Sequence, residues 1–355
     1  MPTLESRRSG TTAGQPRTRP RAVSMRDTGS MATRRSPSAA HRRGLLAILT
    51  VLLLVACSTE MVRPLVVETR QQDPIALPEV RRFGAFTYGG VWSGMEPVLR
   101  LEATLGRRLD VVHWFSSWDD AFYPAMVEAV AEGGRAPLIS WQPMRQDVRA
   151  IAAGAYDGHV RSWAQGVAGA DGLVYIRPFP EMNGDWVPWN GDPEALRKAW
   201  RRMAAIFAEE GAENVRWVFG PNVTDEPRVE ANRMELYYPG HDVVDVLAMS
   251  GFNWGETRPS IGWRSFEQVF ERGYERLAAL GTQHVWLAEI ASSDEGGDKA
   301  AWVRDMFLSD AFPRLEAIVW FDEDKEADWR ITSSPEVVDA FRAALAPDTN
   351  ALTMR

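Results

Sequence analysis

The chain has 355 residues, 45% of them hydrophobic and 25% charged, the balance of a globular protein. Residues 1–56 hold ten Arg against Glu5 and Asp27, leaving 30 basic and 46 acidic side chains, a formal −16, in the rest of the chain. So acidic a body repels phosphate backbones and argues against nucleic acid as a partner, whereas a neutral polymer remains compatible with it.

Only one cysteine is present, Cys57, so no disulfide can form within the chain and no thiolate cluster can hold a metal. Arg34, Arg35, Arg42 and Arg43 precede an apolar run from Leu45 to Val55. That run is too short to cross a bilayer as a helix and has the charge-then-apolar order of a secretory signal. It ends in Leu54-Val55-Ala56-Cys57, similar to a bacterial lipobox, in which the Cys takes a lipid and becomes the mature N-terminus. An ordinary signal peptide or an uncleaved anchor with a chance Cys is the alternative. Starting at Met25 or Met31 would give a signal of more usual length. The expected organisation is a signal segment over 1–57, a proline-bearing linker over 58–80, one domain over 81–347 and a short tail over 348–355.

Within the domain, short apolar runs alternate with longer amphipathic segments. Candidate strands are 83–86, 109–115, 137–141, 173–177, 215–219, 244–250, 285–289 and 315–321, each nearly continuous in hydrophobic residues, as strands buried on both faces should be. Asp192-Pro193 starts one intervening helix, with Leu196, Trp200, Met203 and Phe207 on one face and Gly211 beyond it. Ser265 and Gln268 form a capping-box pattern before another, and Ser334-Pro335 opens the last. Eight strands alternating with helices imply an α/β (β/α)8 TIM barrel as a single catalytic domain. A doubly wound open sheet is the runner-up, without the glycine-rich phosphate loop that many such folds carry.

Reactive side chains in such barrels sit at the C-terminal ends of the strands. The fourth strand runs into Arg177-Pro178-Phe179-Pro180-Glu181-Met182-Asn183-Gly184-Asp185-Trp186-Val187-Pro188-Trp189, and the seventh into Ala288-Glu289-Ile290. Strands four and seven lie across a barrel from one another, so Glu181 and Glu289 can face each other over a cleft. Paired carboxyls are what glycoside hydrolysis needs, one to protonate the leaving oxygen and one to attack the anomeric carbon. Two unrelated surface glutamates are the bland alternative. His113, Arg177 and Asn222 are candidates to touch substrate or orient a carboxylate. Trp114, Trp186, Trp189, Trp254 and Trp320, at or beyond strand ends, could stack on sugar rings; Trp141 is similarly placed. Trp217 and Trp286, inside strands, are expected in the core. The scattered histidines (41, 113, 159, 241 and 284) and the Asp322–Glu326 loop lack metal-ligand spacing, so neither metal nor cofactor is expected.

The strand-four motif resembles the acid/base motif of glycoside hydrolase family 26, which contains many β-mannanases. The resemblance extends over about residues 81–346, through Val112-His113-Trp114-Phe115, Gly220-Pro221-Asn222, Gly251-Phe252-Asn253-Trp254-Gly255, the stretch around Glu289, Val319-Trp320-Phe321 and Asp328-Trp329-Arg330. It implies a retaining mechanism, with Glu181 as acid/base and Glu289 as nucleophile. Two positions depart from the family pattern. Pro180 stands where His usually precedes the acid/base, and Phe252 stands where Tyr usually orients the nucleophile. The expectation is therefore a monomeric, lipid-anchored, extracytoplasmic endo-β-glycosidase acting on β-mannan or a related polysaccharide. The alternative is a catalytically impaired barrel that binds polysaccharide.

Overall fold

The computed structural model describes residues 81–346; the expected signal segment with Cys57, the linker and the tail lie outside the described residues. Eight parallel strands close into a barrel in sequence order: β1 (Arg82–Thr87), β2 (Val111–Ser117), β3 (Ala136–Gln142), β4 (Val174–Pro178), β5 (Val215–Phe219), β6 (Val246–Asn253), β7 (Val285–Ser292) and β8 (Leu315–Asp322). All eight expected strands are present, most with ends moved by one to three residues, and the closed order rules out the doubly wound sheet.

Around the strands lie α1 (Glu96–Leu105), α2 (Pro124–Glu132), α3 (Val148–Ala152), α4 (Asp157–Ala168), α5 (Pro193–Glu209), α6 (Met234–Tyr237), α7 (Phe266–Ala278), α8 (Lys299–Leu308) and α9 (Pro335–Leu345). Local chemistry sets their starts. Asp192 accepts from the Ala195 amide at α5, Ser265 and Gln268 close a reciprocal capping box at α7, and Ser334 accepts from the Val337 amide at α9.

Two hydrophobic layers result. Val111, Leu138, Tyr175, Val218, Val246, Trp286, Ala288, Ala317 and Val319 fill the lower barrel interior. The opposite parity of each strand packs outward against the helices, as with Trp320, which meets Trp302 of α8 and Phe341 of α9. Plain alternation through Trp286 and Ala288 would turn Glu289 outward as well. The β6–β7 register instead steps from Met249↔Leu287 to Ser250↔Glu289, and this irregularity accompanies the turn of Glu289 into the barrel mouth.

Candidate active site

A cleft of about 690 Å³ opens at the C-terminal ends of β4 to β8, with Glu181 and Glu289 both in its wall. Glu181 follows β4 in a loop where Phe179 and Glu181 itself take left-handed φ values of 53° and 55°. Non-glycine residues rarely adopt that backbone, and surrounding contacts must hold it there. The Glu181 amide donates to Gly220 O, and the Trp189 indole donates to Pro180 O at 2.9 Å. Asn183, fully buried, ties this loop to the one after β5. Its Nδ2 donates to Asn222 O, Thr224 O and Asp225 Oδ1, while its Oδ1 accepts the Asn222 amide.

Each carboxylate has its own donors. Glu181 accepts from Trp186 Nε1 at 2.7 Å and Asn222 Nδ2 at 3.0 Å. Glu289 accepts from Arg177 Nη1 at 2.8 Å, and that fully buried guanidinium also donates to Gly220 O and Ser250 Oγ. Gly220 is required here, because a Cβ would stand 2.3 Å from Arg177 Nε.

Burial, with the Glu181 carboxylate second, pushes Glu289 up to about 7 against the opposing pull of Arg177. Glu289 therefore keeps its proton until near neutral pH. Trp186 and Asn222 bring neutral donors to Glu181, whereas Arg177 brings a full positive charge to Glu289. Two carboxyls in one cleft, one among neutral donors and one against a guanidinium, are equipped for general acid and nucleophilic work.

The remaining expected residues separate into two groups. Trp186, Asn222, Phe252 and Trp254 line the cleft with the two glutamates. Trp186 is half exposed, so its indole offers an open face beside Glu181. Phe252 packs at 5.9 Å from Trp254 and 5.2 Å from Trp329, giving an apolar floor with no hydroxyl toward Glu289.

The others lie outside the cleft wall. Trp320 is fully buried on the helix-facing parity of β8, its Nε1 donating to Trp329 O; Phe321, one residue on, lines the cleft instead. Trp114 and Trp141 are buried, and Trp189 is buried with its indole locking the loop that carries Glu181, so none of them offers a sugar platform. His113 is buried between Phe86 and Phe115, with Nε2 against Ser140 Oγ at 2.8 Å. Burial holds its pKa well below the usual imidazole range, and it acts as a neutral core residue. Arg177 contacts Glu289 but not the cleft wall, and so positions a carboxylate. Trp217 and Trp286 are core, as expected.

Sequence reasoning missed Asn183, although it lies inside the quoted motif, and Trp329, although it lies inside the quoted Asp328-Trp329-Arg330. It also missed Arg258, Arg264 and Lys325, which line the cleft from loops carrying no periodic signal.

Residues 152–303 match the family model described as glycosyl hydrolase family 26. Endoglucanase H of Acetivibrio thermocellus is 35% identical over 272 residues, a match covering 72% of this chain and 30% of that protein. Mannan endo-1,4-beta-mannosidase A and B of Caldalkalibacillus mannanilyticus is 31% identical over 90 residues, 22% of this chain and 16% of that protein. The chain therefore spans less than a third of either relative. The catalytic domain of a Bacillus endo-β-1,4-mannanase shares the fold, with a TM-score of 0.58 at 15% identity over 75% of this chain and 85% of that one. The family match over residues 152–303 and these relatives thus make the chain similar to glycosyl hydrolase family 26.

Proposed function

We propose that the chain is a retaining endo-β-glycoside hydrolase acting on β-mannan or a related β-linked polysaccharide. Glu181 serves as acid/base and Glu289 as nucleophile. The supporting observation is the unequal pair: two carboxylates in one cleft, one held by neutral donors and the other by a buried guanidinium.

In the first step Glu289 attacks the anomeric carbon while Glu181 passes its proton to the departing glycosidic oxygen. In the second, Glu181 takes a proton from water, which attacks the same carbon and releases Glu289. Arg177 stabilises the charge on Glu289 before attack and after release. The open cleft and the exposed Trp186 suit a chain that continues past the cleavage point on both sides. By the lipobox, the protein acts outside the cytoplasm, tethered through Cys57.

The test is incubation of the protein with β-mannan, mixed-linkage β-glucan and xylan, with analysis of product size and anomeric configuration. Internal cleavage releasing β-anomers is the expected result. Release of α-anomers, or no cleavage of any β-linked polymer, would overturn the proposal. In the latter case Phe252 and Pro180, each lacking a hydrogen-bonding group that the family usually has at its position, would favour the second reading of a barrel that binds polysaccharide without cutting it.

A further inference from the structure

Nearly every arginine of the described residues donates to a carboxylate or a carbonyl. Arg108, Arg258, Arg264 and Arg272 are the ones whose guanidinium meets no such acceptor. Arg108 precedes β2, at the N-terminal end of the barrel. The other three follow β6, Arg258 and Arg264 in the loop before α7 and Arg272 within α7. Arg258 and Arg264 line the catalytic cleft, and Arg264 and Arg272 line a second groove of about 630 Å³ that shares Val223, Thr224 and Arg228 with it.

Their placement is built. Arg258 lies over the indole of Trp254, its guanidinium carbon 3.4 Å from the ring centroid, a cation–π contact that fixes the charge while leaving its N–H groups free. The backbone of Arg264 is clamped on both sides, its amide donating to Asn253 Oδ1 and its carbonyl accepting from Trp302 Nε1. None of the acids of the cleft makes an ion pair with Arg258 or Arg264. Glu226 is paired with Arg228 and Glu326 with Lys325. Glu181, Asp185 and Glu289 belong to the loops after β4 and to β7.

In a chain whose body carries a formal −16, unpaired guanidinium groups collected at one edge of the cleft are a local reversal of charge. A planar fork of N–H donors is the group best matched to a carboxylate. We propose that the cleft takes an anionic β-glycan, with Arg258 and Arg264 binding a carboxylate carried by a sugar away from the scissile bond, and Arg272 extending the same strip. The substrate class so named rests on the hydrolase reading of the cleft. A uronate within the chain or an acidic substituent on it presents the same group.

The test compares glucomannan with the same polymer oxidised at C6 to its uronate. Binding is measured in a Glu289→Gln background so that turnover does not interfere. The oxidised polymer should bind at least about tenfold more tightly, as expected for gained charge-assisted hydrogen bonds. That preference should collapse when salt shortens the Debye length from about 10 Å to about 3 Å. Adding Arg258→Gln and Arg264→Gln together should abolish the preference, whereas Arg108→Gln should leave it in place. Equal or tighter binding of the neutral polymer, or a preference that survives the double substitution, would overturn the proposal. Turnover by the unsubstituted protein is read separately. A binding preference without cleavage of either polymer discards the hydrolase reading and keeps the arginine site; cleavage without a preference does the reverse.

Discussion

Replacing Arg177 by Gln should move the acidic limb of the pH–rate profile upward. Glu289 must be ionised to attack, and burial with the nearby Glu181 carboxylate already pushes it up to about 7. The restraining force is the Arg177 guanidinium, in contact at 2.8 Å. Two unit charges ~4 Å apart interact by about 4 kcal/mol at an effective dielectric of about 20. That is worth roughly three pKa units, of which relaxation and a residual amide hydrogen bond recover a part. A rise of about one to three units is therefore expected. At a pH below the wild-type limb each unit costs about tenfold in kcat/KM, so the loss there is roughly 10- to 1000-fold and shrinks as pH rises. The assay uses a dinitrophenyl β-glycoside, whose leaving group needs little protonation, so that the acidic limb reports the nucleophile alone. Arg177→Lys, which keeps the charge, should hold the limb near its original place. Breaking a buried pair can cost about 3–5 kcal/mol, so folding is checked first by thermal unfolding. A folded Arg177→Gln enzyme with an unmoved limb, whatever its rate, would refute the reasoning.

Three further outcomes are expected. Glu181→Ala should stop hydrolysis of polysaccharide but spare the first step on dinitrophenyl glycosides, and azide should then restore turnover with a β-glycosyl azide as product; an α-azide would reverse the assignment. Asp322, pushed up to about 6 chiefly by burial, is more stable neutral than charged in the folded protein, so its contribution is fully present below its unfolded value near 3.8 and is lost as pH rises through 6. Asp322→Asn, which can still accept the Ile331 amide, should therefore gain about 1–3 kcal/mol over the parent at pH above 6 and nothing at pH below about 4, read by denaturant unfolding. Cys57→Ala should shift the protein from the membrane to a soluble or unprocessed form, and unaltered fractionation with no lipid found by mass spectrometry would count against the anchor.

The barrel was legible in the sequence because its strands are buried on both faces, which makes eight short apolar runs stand out between amphipathic helices. Helix starts were legible for a local reason, since a cap such as Ser265 with Gln268 is satisfied within a few residues. The two glutamates could be picked out by their position at strand ends, and the topology brings both to one cleft.

Side-chain direction was not legible in the same way. Trp320 and Phe321 are neighbours at a strand end with similar apolar character, yet pleat parity sends one to the helices and the other to the cleft. For Glu289 even parity misleads, because an irregularity in the β6–β7 ladder redirects it, and nothing local to Ala288-Glu289 announces that step. Arg177 read as touching substrate or orienting a carboxylate and His113 as a substrate contact, and only the closed barrel shows Arg177 spent on Glu289 and His113 enclosed by Phe86 and Phe115. The chain by itself therefore determined which elements form and in what order they close, since those depend on short-range pattern. Which residues meet over the cleft, and which cations are left without a partner at its edge, depends on contacts between loops far apart in sequence, and only the tertiary structure decided that.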